Sequence, residues 1–311
     1  MAGAETPVIT TPIHAGEAET IRPSAPQDGA MSDSDGRLAA LAATAERATD
    51  AAGQYLRERF EAGRLDAEYT ATDVKTTADV GAESRILDVL ETAYPEHAIA
   101  TEESGYHAGR GDVEWVVDPL DGTNNFAIGS PMFAVAVTAV GAPGTPNAGE
   151  SLATSLAIPV LEETYVATRG GGVRRNGEPT SVDNGDTVSP AQATVACVIG
   201  KPVLESDRLA TDHDAISTAI RGEVKRLIHT WAPIVYWALL AKGGLDAFVA
   251  FYPDRREQAA GSLVATEAGC VTIGDGPLSV FAANEATAEL LWERATAVLD
   301  GQPVPRDALE E

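Results

Sequence analysis

The stretch that most constrains this chain is "VEWVVDPLDGTNNF", residues 113 to 126, followed closely by "PMFAVAVTAV" at 131 to 140. Short apolar runs bounded by turn residues read as buried strands. Two aspartates, Asp118 and Asp121, therefore fall between two core strands, where an uncompensated carboxylate is costly. Asp118 ends the first strand, Gly122 permits a tight turn, and Thr123 or Asn124 can cap a short helix behind it. Such a turn aims both carboxylates inward and points the backbone N–H groups of Gly122 and Thr123 into the same space. It is either a solvated acidic turn or a place for a cation. Most isolated Asp-x-x-Asp turns are of the first kind. Here, Glu102, Glu103 and Asp79 lie upstream in separate clusters. Carboxylates collect hard divalent ions, Mg²⁺ above all, while N–H groups at a helix start favour an anion. Side by side, the two describe metal-assisted hydrolysis of a phosphate ester.

Charge narrows the function classes. The 311 residues carry 47 acidic against 22 basic side chains, a formal net charge of −25, and only four lysines: Lys75, Lys201, Lys225 and Lys242. So acidic a surface repels nucleic-acid backbones and anionic headgroups, so neither nucleic acid nor membrane is expected as a partner. Wholesale disorder is excluded, because 44% of residues are hydrophobic and fall in periodic runs. The excess of carboxylates suits a high-salt cytoplasm, where screening relieves self-repulsion. Cys197 and Cys270 are isolated in apolar stretches and read as buried free thiols, and the five histidines show no zinc-ligand spacing. No apolar run approaches ~20 residues and no secretory signal opens the chain, so a cytoplasmic location is expected.

Along the chain, residues 1–36 lack periodicity and read as a disordered acidic tail. Apolar residues recur at helical spacing from Arg37 to Phe60 and from Ala78 to Ala93, the second helix ending before Pro95. "EWVV", "MFAVAVTAV", "TSLAIPV" and "TYVATRG" read as strands, and "GGGVRRNG" as a hairpin connection rather than a phosphate loop. Beyond about residue 189 strands ("ATVACVIG", "LDAFVAF") alternate with helices ("WAPIVYWALLAKGG", "QAAGSLVATEAG"), which suggests a distinct α/β layer. The expected organisation is a tail over 1–36, a metal-binding α+β subdomain over 37–188 and a substrate subdomain over 189–311.

"DPLDGTNNF" resembles the Asp-Pro-(Ile/Leu)-Asp-Gly-Thr metal motif of the inositol monophosphatase superfamily. "TEES" at 101–104 is similar to its Glu-Glu-Ser element, and "TTADVGAESRI" to its Thr-x-x-Asp-x-x-x-Glu segment. "RNGEP" and "EAGCVT" fit its remaining landmarks, so the resemblance spans about residues 38 to 300. It implies a layered αβαβα sandwich and a Mg²⁺-dependent, often lithium-sensitive phosphomonoesterase with two or three ions, a small phosphorylated metabolite as substrate, and frequent homodimers. Carried over by position, it makes Glu103, Asp118 and the Leu120 carbonyl ligands of one ion. Asp118, Asp121 and Glu257 would hold a second. Asp79, Thr123 and Glu103 would activate the attacking water, and the N–H groups of Gly122 and Thr123 would grip the phosphate.

The departures lie downstream. Where the family has Trp-Asp ahead of Ala-Ala-Gly, this chain has Arg256 and Glu257, one methylene longer, with Asp254 as an alternative ligand. "HTWAP" replaces a small-residue substrate segment. Trp231 either fills that space or belongs to a buried helix, and His229 with Trp231 offers contacts for a different leaving group. Ala250 stands where inositol-specific members place a glutamate, which argues against myo-inositol phosphate. Arg255 and Arg256 either grip a second phosphate or line an exposed loop. Three functions fit: a sugar or polyol phosphatase, extending to inositol 1-phosphate or fructose 1,6-bisphosphate; a 3′-phosphoadenosine 5′-phosphate type of nucleotide phosphatase; or a weakened or inactive homologue with a regulatory role.

Overall fold

The computed structural model describes residues 20–21, 33–63, 67–69, 74–182, 188–229, 231–274 and 277–299. Among them the helices are, in chain order, α1 (Asp33–Glu61), α2 (Thr77–Ala93), α3 (Thr123–Ala127), α4 (Lys201–Leu204), α5 (Asp207–Arg221), α6 (Pro233–Ala241), α7 (Arg255–Glu267) and α8 (Glu285–Leu299).

Two sheets separate three helical layers. The eight-stranded sheet runs Glu178–Thr180, Gly172–Arg175, Glu163–Thr168, Ser151–Ile158, Ala134–Gly141, Val113–Asp121, Ala98–Ala100, Tyr106–His107 in spatial order. Its pairings are antiparallel apart from Ala98–Ala100 beside Val113–Asp121. The six-stranded sheet runs Thr20–Ile21, Val271–Ile273, Leu278–Ala282, Ala247–Phe251, Thr194–Ile199, Arg226–His229.

Alternation along the strands assigns each layer its core. Val135, Val137 and Ala139 face α1 and α2, meeting Leu41, Ala45, Ala52, Ile86 and Leu90. Ala134 and Ala136 face the other way, into a middle layer built by Ile234, Trp237 and Leu240 of α6 and Val264 of α7. Val195 and Cys197 face α5 and α8 on the outer side of the second sheet. Both faces of the central strands are covered, which is why their sequences read as unbroken apolar runs rather than alternating ones. The result is an αβαβα sandwich. Where α6 crosses α7, Trp237 stacks on Phe248 at 3.9 Å between ring centroids. Gly261 makes that approach possible, since a Cβ there would meet the indole at 2.2 Å.

The chain differs from expectation near its start. Helix α1 begins at Asp33, inside the segment expected to be a tail, and Thr20–Ile21 pairs with Thr272 and Ile273 as an edge strand. The remaining tail positions lie outside the described residues. The "RRNG" turn is a two-residue hairpin, with Asn176 and Gly177 at φ of 50° and 85°. The first sheet draws only on residues 98–180, and the second on residues 194–282 plus Thr20–Ile21. Even so, α6 and α7 give the two halves one shared core. No described helix is long and apolar enough to cross a membrane.

Candidate metal centre

Successive strand residues point to opposite faces, so positions three apart should diverge. Asp118 and Asp121 do not. Asp118 pairs with Ala136 and Asp121 with Ala134, three steps on one strand against two on the other. The extra residue is a bulge that brings both carboxylates to one side. Gly122 then turns at φ 82°, and a Cβ on it would lie 2.9 Å from the Met132 carbonyl oxygen and from Ala232 Cβ. The turn therefore needs glycine both for its dihedral and for its contacts. It is Gly122, in the cap position before α3, that starts that helix, without a side-chain cap from Thr123 or Asn124.

A third carboxylate arrives from the far side. Glu257 is the third residue of α7, and one oxygen each from Asp118, Asp121 and Glu257 lies within 4.8 Å of the other two. Glu257 Oε2 is buried and has no hydrogen-bond partner. Burial first, then the neighbouring carboxylates, pushes all three well above the usual carboxylate range. Several acidic oxygens converging without enough internal positive charge, one of them an orphan, fit a hard divalent cation such as Mg²⁺. Thus the structure brings Asp118, Asp121 and Glu257 together, the set that the resemblance implied.

Glu103 is placed otherwise. Its Oε2 lies 3.2 Å from Lys75 Nζ. Its neighbour Glu102 is the one whose charge bears on both Asp118 and Asp121, and burial pushes Glu102 up to about 7. The loop that carries them is pinned by Glu83, which accepts bonds from Thr101 Oγ1, the Glu103 amide at 2.8 Å and the Ser104 amide at 2.9 Å. Burial alone would raise Glu83, but these donors outweigh it and hold the group below its ordinary value. The sequence contained Glu83 as a motif landmark, and Glu102 as the other half of "EE", but gave no sign of either role.

The pair expected to activate water is in contact. Asp79 is the third residue of α2. Its Oδ2 accepts the Thr76 amide at 2.7 Å and the Thr76 hydroxyl at 2.6 Å, and its Oδ1 lies 3.0 Å from Thr123 Oγ1. Burial nonetheless leaves Asp79 raised. Thr123 Oγ1 is also 2.9 Å from the Leu120 carbonyl, so that carbonyl has a partner within the protein.

The substituted second motif is a cap rather than a loop. Asp254 is the N-cap of α7, its Oδ1 accepting the Arg256 amide at 2.8 Å and its Oδ2 lying 2.9 Å from Arg256 Nη2. Asp254 is thus engaged, which accounts for its not standing in for Glu257 among the converged ligands. Arg255 pairs with buried Glu114 at 2.8 Å, and Arg256 Nη2 lies 3.6 Å from Glu102 Oε1. Both arginines belong to the first turn of α7, correcting the exposed-loop expectation. Trp231 is also not a core residue: it precedes α6 and is 58% exposed, with its backbone carbonyl against Gly122. Asp121 joins the halves, since its Oδ2 accepts the Ile234 amide of α6 at 2.8 Å.

Known proteins share this fold. The chain is 33% identical over 228 residues to proteins called Nus factor SuhB in Salmonella typhimurium and Escherichia coli K12, the match covering 72% of this chain and 81% of each relative. Its fold is similar to that of the extragenic suppressor protein suhB from Bartonella henselae, with a TM-score of 0.71 and 23% identity over 81% of this chain and 97% of that one. The inositol monophosphatase from Anabaena gives a TM-score of 0.68 and 20% identity over 88% and 99% of the two chains. The sequence profile of the inositol monophosphatase family matches residues 37–299, and the chain belongs to that family.

Proposed function

We propose that the chain is a Mg²⁺-dependent phosphomonoesterase acting on a small phosphorylated sugar or polyol. Family membership supports a metal-dependent phosphatase. The observation that carries the reading for this chain is the buried, unpartnered Glu257 Oε2 converging with Asp118 and Asp121.

Asp118, Asp121, Glu257 and Glu102 would hold the metal, with Glu102 in the place expected of Glu103. When bound, Mg²⁺ supplies neutralisation of phosphate charge and a more acidic water. The residues do the rest. Thr123 Oγ1, held between Asp79 and the Leu120 carbonyl, orients a water beside the phosphate. Asp79 is locked by Thr76 and raised by burial, so it is a stronger proton acceptor near neutrality than an exposed aspartate. The Gly122 and Thr123 amides would grip the phosphate oxygens. Hydrolysis of this kind needs mainly positioning and charge compensation, which rigid buried carboxylates provide.

A second reading, a nucleotide phosphatase, is favoured by one observation: exposed Trp231 adjoins the Gly122 turn and offers an aromatic face to a base. A non-catalytic role is the remaining alternative, consistent with relatives named Nus factor SuhB. One panel separates the three. Phosphate release is measured from sugar phosphates, polyol phosphates, fructose 1,6-bisphosphate and 3′-phosphoadenosine 5′-phosphate, with Mg²⁺ and beside Asp121→Asn. Sugar or polyol turnover that Asp121→Asn abolishes supports the proposal. Preference for the nucleotide selects the second reading. A folded, Mg²⁺-binding protein that releases nothing from any substrate sinks both.

A further inference from the structure

Three side chains outside the carboxylate centre converge from distant parts of the sequence. Cys197 lies on strand Thr194–Ile199, and across the parallel pairing its partner is His229, on the edge strand Arg226–His229. His213 comes down from α5 onto the same outer face of that sheet. One ligand atom from each lies within 4.8 Å of the other two. Cys197 Sγ is 3.8 Å from His213 Nε2, and the two imidazoles meet edge to face at 5.3 Å between centroids. Cys197 and His213 are buried while His229 is exposed, so the group has one side open to solvent. The carboxylates belong to the middle layer, whereas Cys197 faces the outer helices, so the two clusters are separate.

Two simpler readings account for less. A nucleophilic thiolate–imidazolium pair is disfavoured, because burial pushes the Cys197 thiol up to about 12 and both histidines down. A core histidine satisfied by Ser217 Oγ, 3.1 Å from His213 Nε2, explains one contact but not the approach of a thiol and a second imidazole. Neutral imidazoles beside a thiol are a ligand set for a borderline-soft divalent ion, and a bound cation is what stabilises a buried thiolate.

We propose that Cys197, His213 and His229 form a Zn²⁺-type site, with Cys197 Sγ and one ring nitrogen of each histidine as ligands and the solvent side at His229 open to water as the fourth. As the metal–sulfur bond forms the S–H bond breaks, and that proton passes to solvent; the imidazoles bind as neutral ligands, so one proton is released per ion. Sulfur and imidazole select against Mg²⁺, so the molecule would sort hard and soft ions into separate centres. An ion here ties α5 to both strands just before the segment carrying Trp231.

The test uses the full chain stripped with chelator and titrated with Co²⁺, then competed with Zn²⁺. The expected result is one equivalent of Co²⁺ giving a sulfur-to-cobalt charge-transfer band, with one proton released. Zn²⁺ abolishes the band, Cys197→Ala removes it, and Cys270→Ala and Asp121→Asn keep it. His229→Gln, at an exposed position, weakens binding by roughly tenfold or more. Absence of the band in the native protein, or its survival in folded Cys197→Ala, overturns the site. If Cys197→Ala does not fold, unchanged Co²⁺ affinity in His229→Gln overturns it instead.

Discussion

At the residue scale, two adjacent glutamates give opposite predictions. Both are half-buried, but the Glu102 charge bears on Asp118 and Asp121 while Glu103 pairs with Lys75. Glu102→Gln should lower kcat about 10²-fold or more, while Glu103→Gln should stay within a few-fold, as steady-state phosphate release will show. Equal losses would restore Glu103 to the role that the motif alone suggested. Glu257 offers a second test. Its longer side chain already reaches the aspartates from the third position of α7, so the centre is built around glutamate. Glu257→Asp draws the carboxylate back by about 1.5 Å and should raise the Mg²⁺ concentration for half-maximal activity roughly tenfold, since Mg²⁺ tolerates little departure from its preferred distances. The Asp118–Asp121 turn stood out in the sequence as two carboxylates between apolar runs, whereas the pairing of Asp79 with Thr123 was implied only by the resemblance of the motifs. The choice between Glu102 and Glu103 was not, because an irregular loop has no periodicity to say which side chain turns inward. That is decided by Glu83 binding the Glu103 and Ser104 amides.

At the element scale, the centre depends on how helices begin. Asp254 caps α7 and also pairs with the Arg256 guanidinium. Asp254→Ala should cost about 1 kcal/mol of stability through the lost cap, seen as a lower denaturant midpoint. Glu83→Gln acts on the opposite wall. It replaces an acceptor of several charge-assisted bonds with an amide, so loop 101–104 should loosen and kcat fall while thermal stability changes far less. A loss confined to stability would show that Glu83 only supports the fold. The strands and helices were readable from apolar spacing, and α1 and α2 fall within a few residues of expectation. Trp231 was not, because an aromatic beside an apolar helix looks the same in sequence whether it packs inside or borders a turn. Nor was the meeting of Cys197, His213 and His229, which depends on strand register and on the helix that crosses it.

At the scale of the whole molecule, charge governs stability. A net charge of −25 should make the protein lose cooperative structure on dialysis to low salt and regain it with KCl, followed by circular dichroism. Removing metal adds a pH dependence of defined sign. Without a cation, Asp118, Asp121, Glu257 and Glu102 are all raised in the folded state, so folding binds protons and stability falls as pH rises through those values. The gap in Tm between Mg²⁺ and EDTA samples should therefore widen from about pH 5.5 to about pH 8, straddling the Glu102 value of about 7. Because it is a difference, it removes most of the opposing contribution of His97, which burial lowers. The αβαβα layering was implied by the resemblance, the unbroken apolar runs marking only the strands, and the joint between the halves was not legible. That joint is the Asp121–Gly122 turn, one residue bonded to the α6 amide and the next wedged against Met132 and Ala232. Its wider meaning concerns how such chains can decay. A descendant relieved of catalysis would still draw on Asp121 and Gly122 at the joint and on Asp79 in the capping box of α2, because all three also serve assembly. An intact turn and an intact Asp79 therefore testify to architecture first, and phosphate release is what testifies to chemistry.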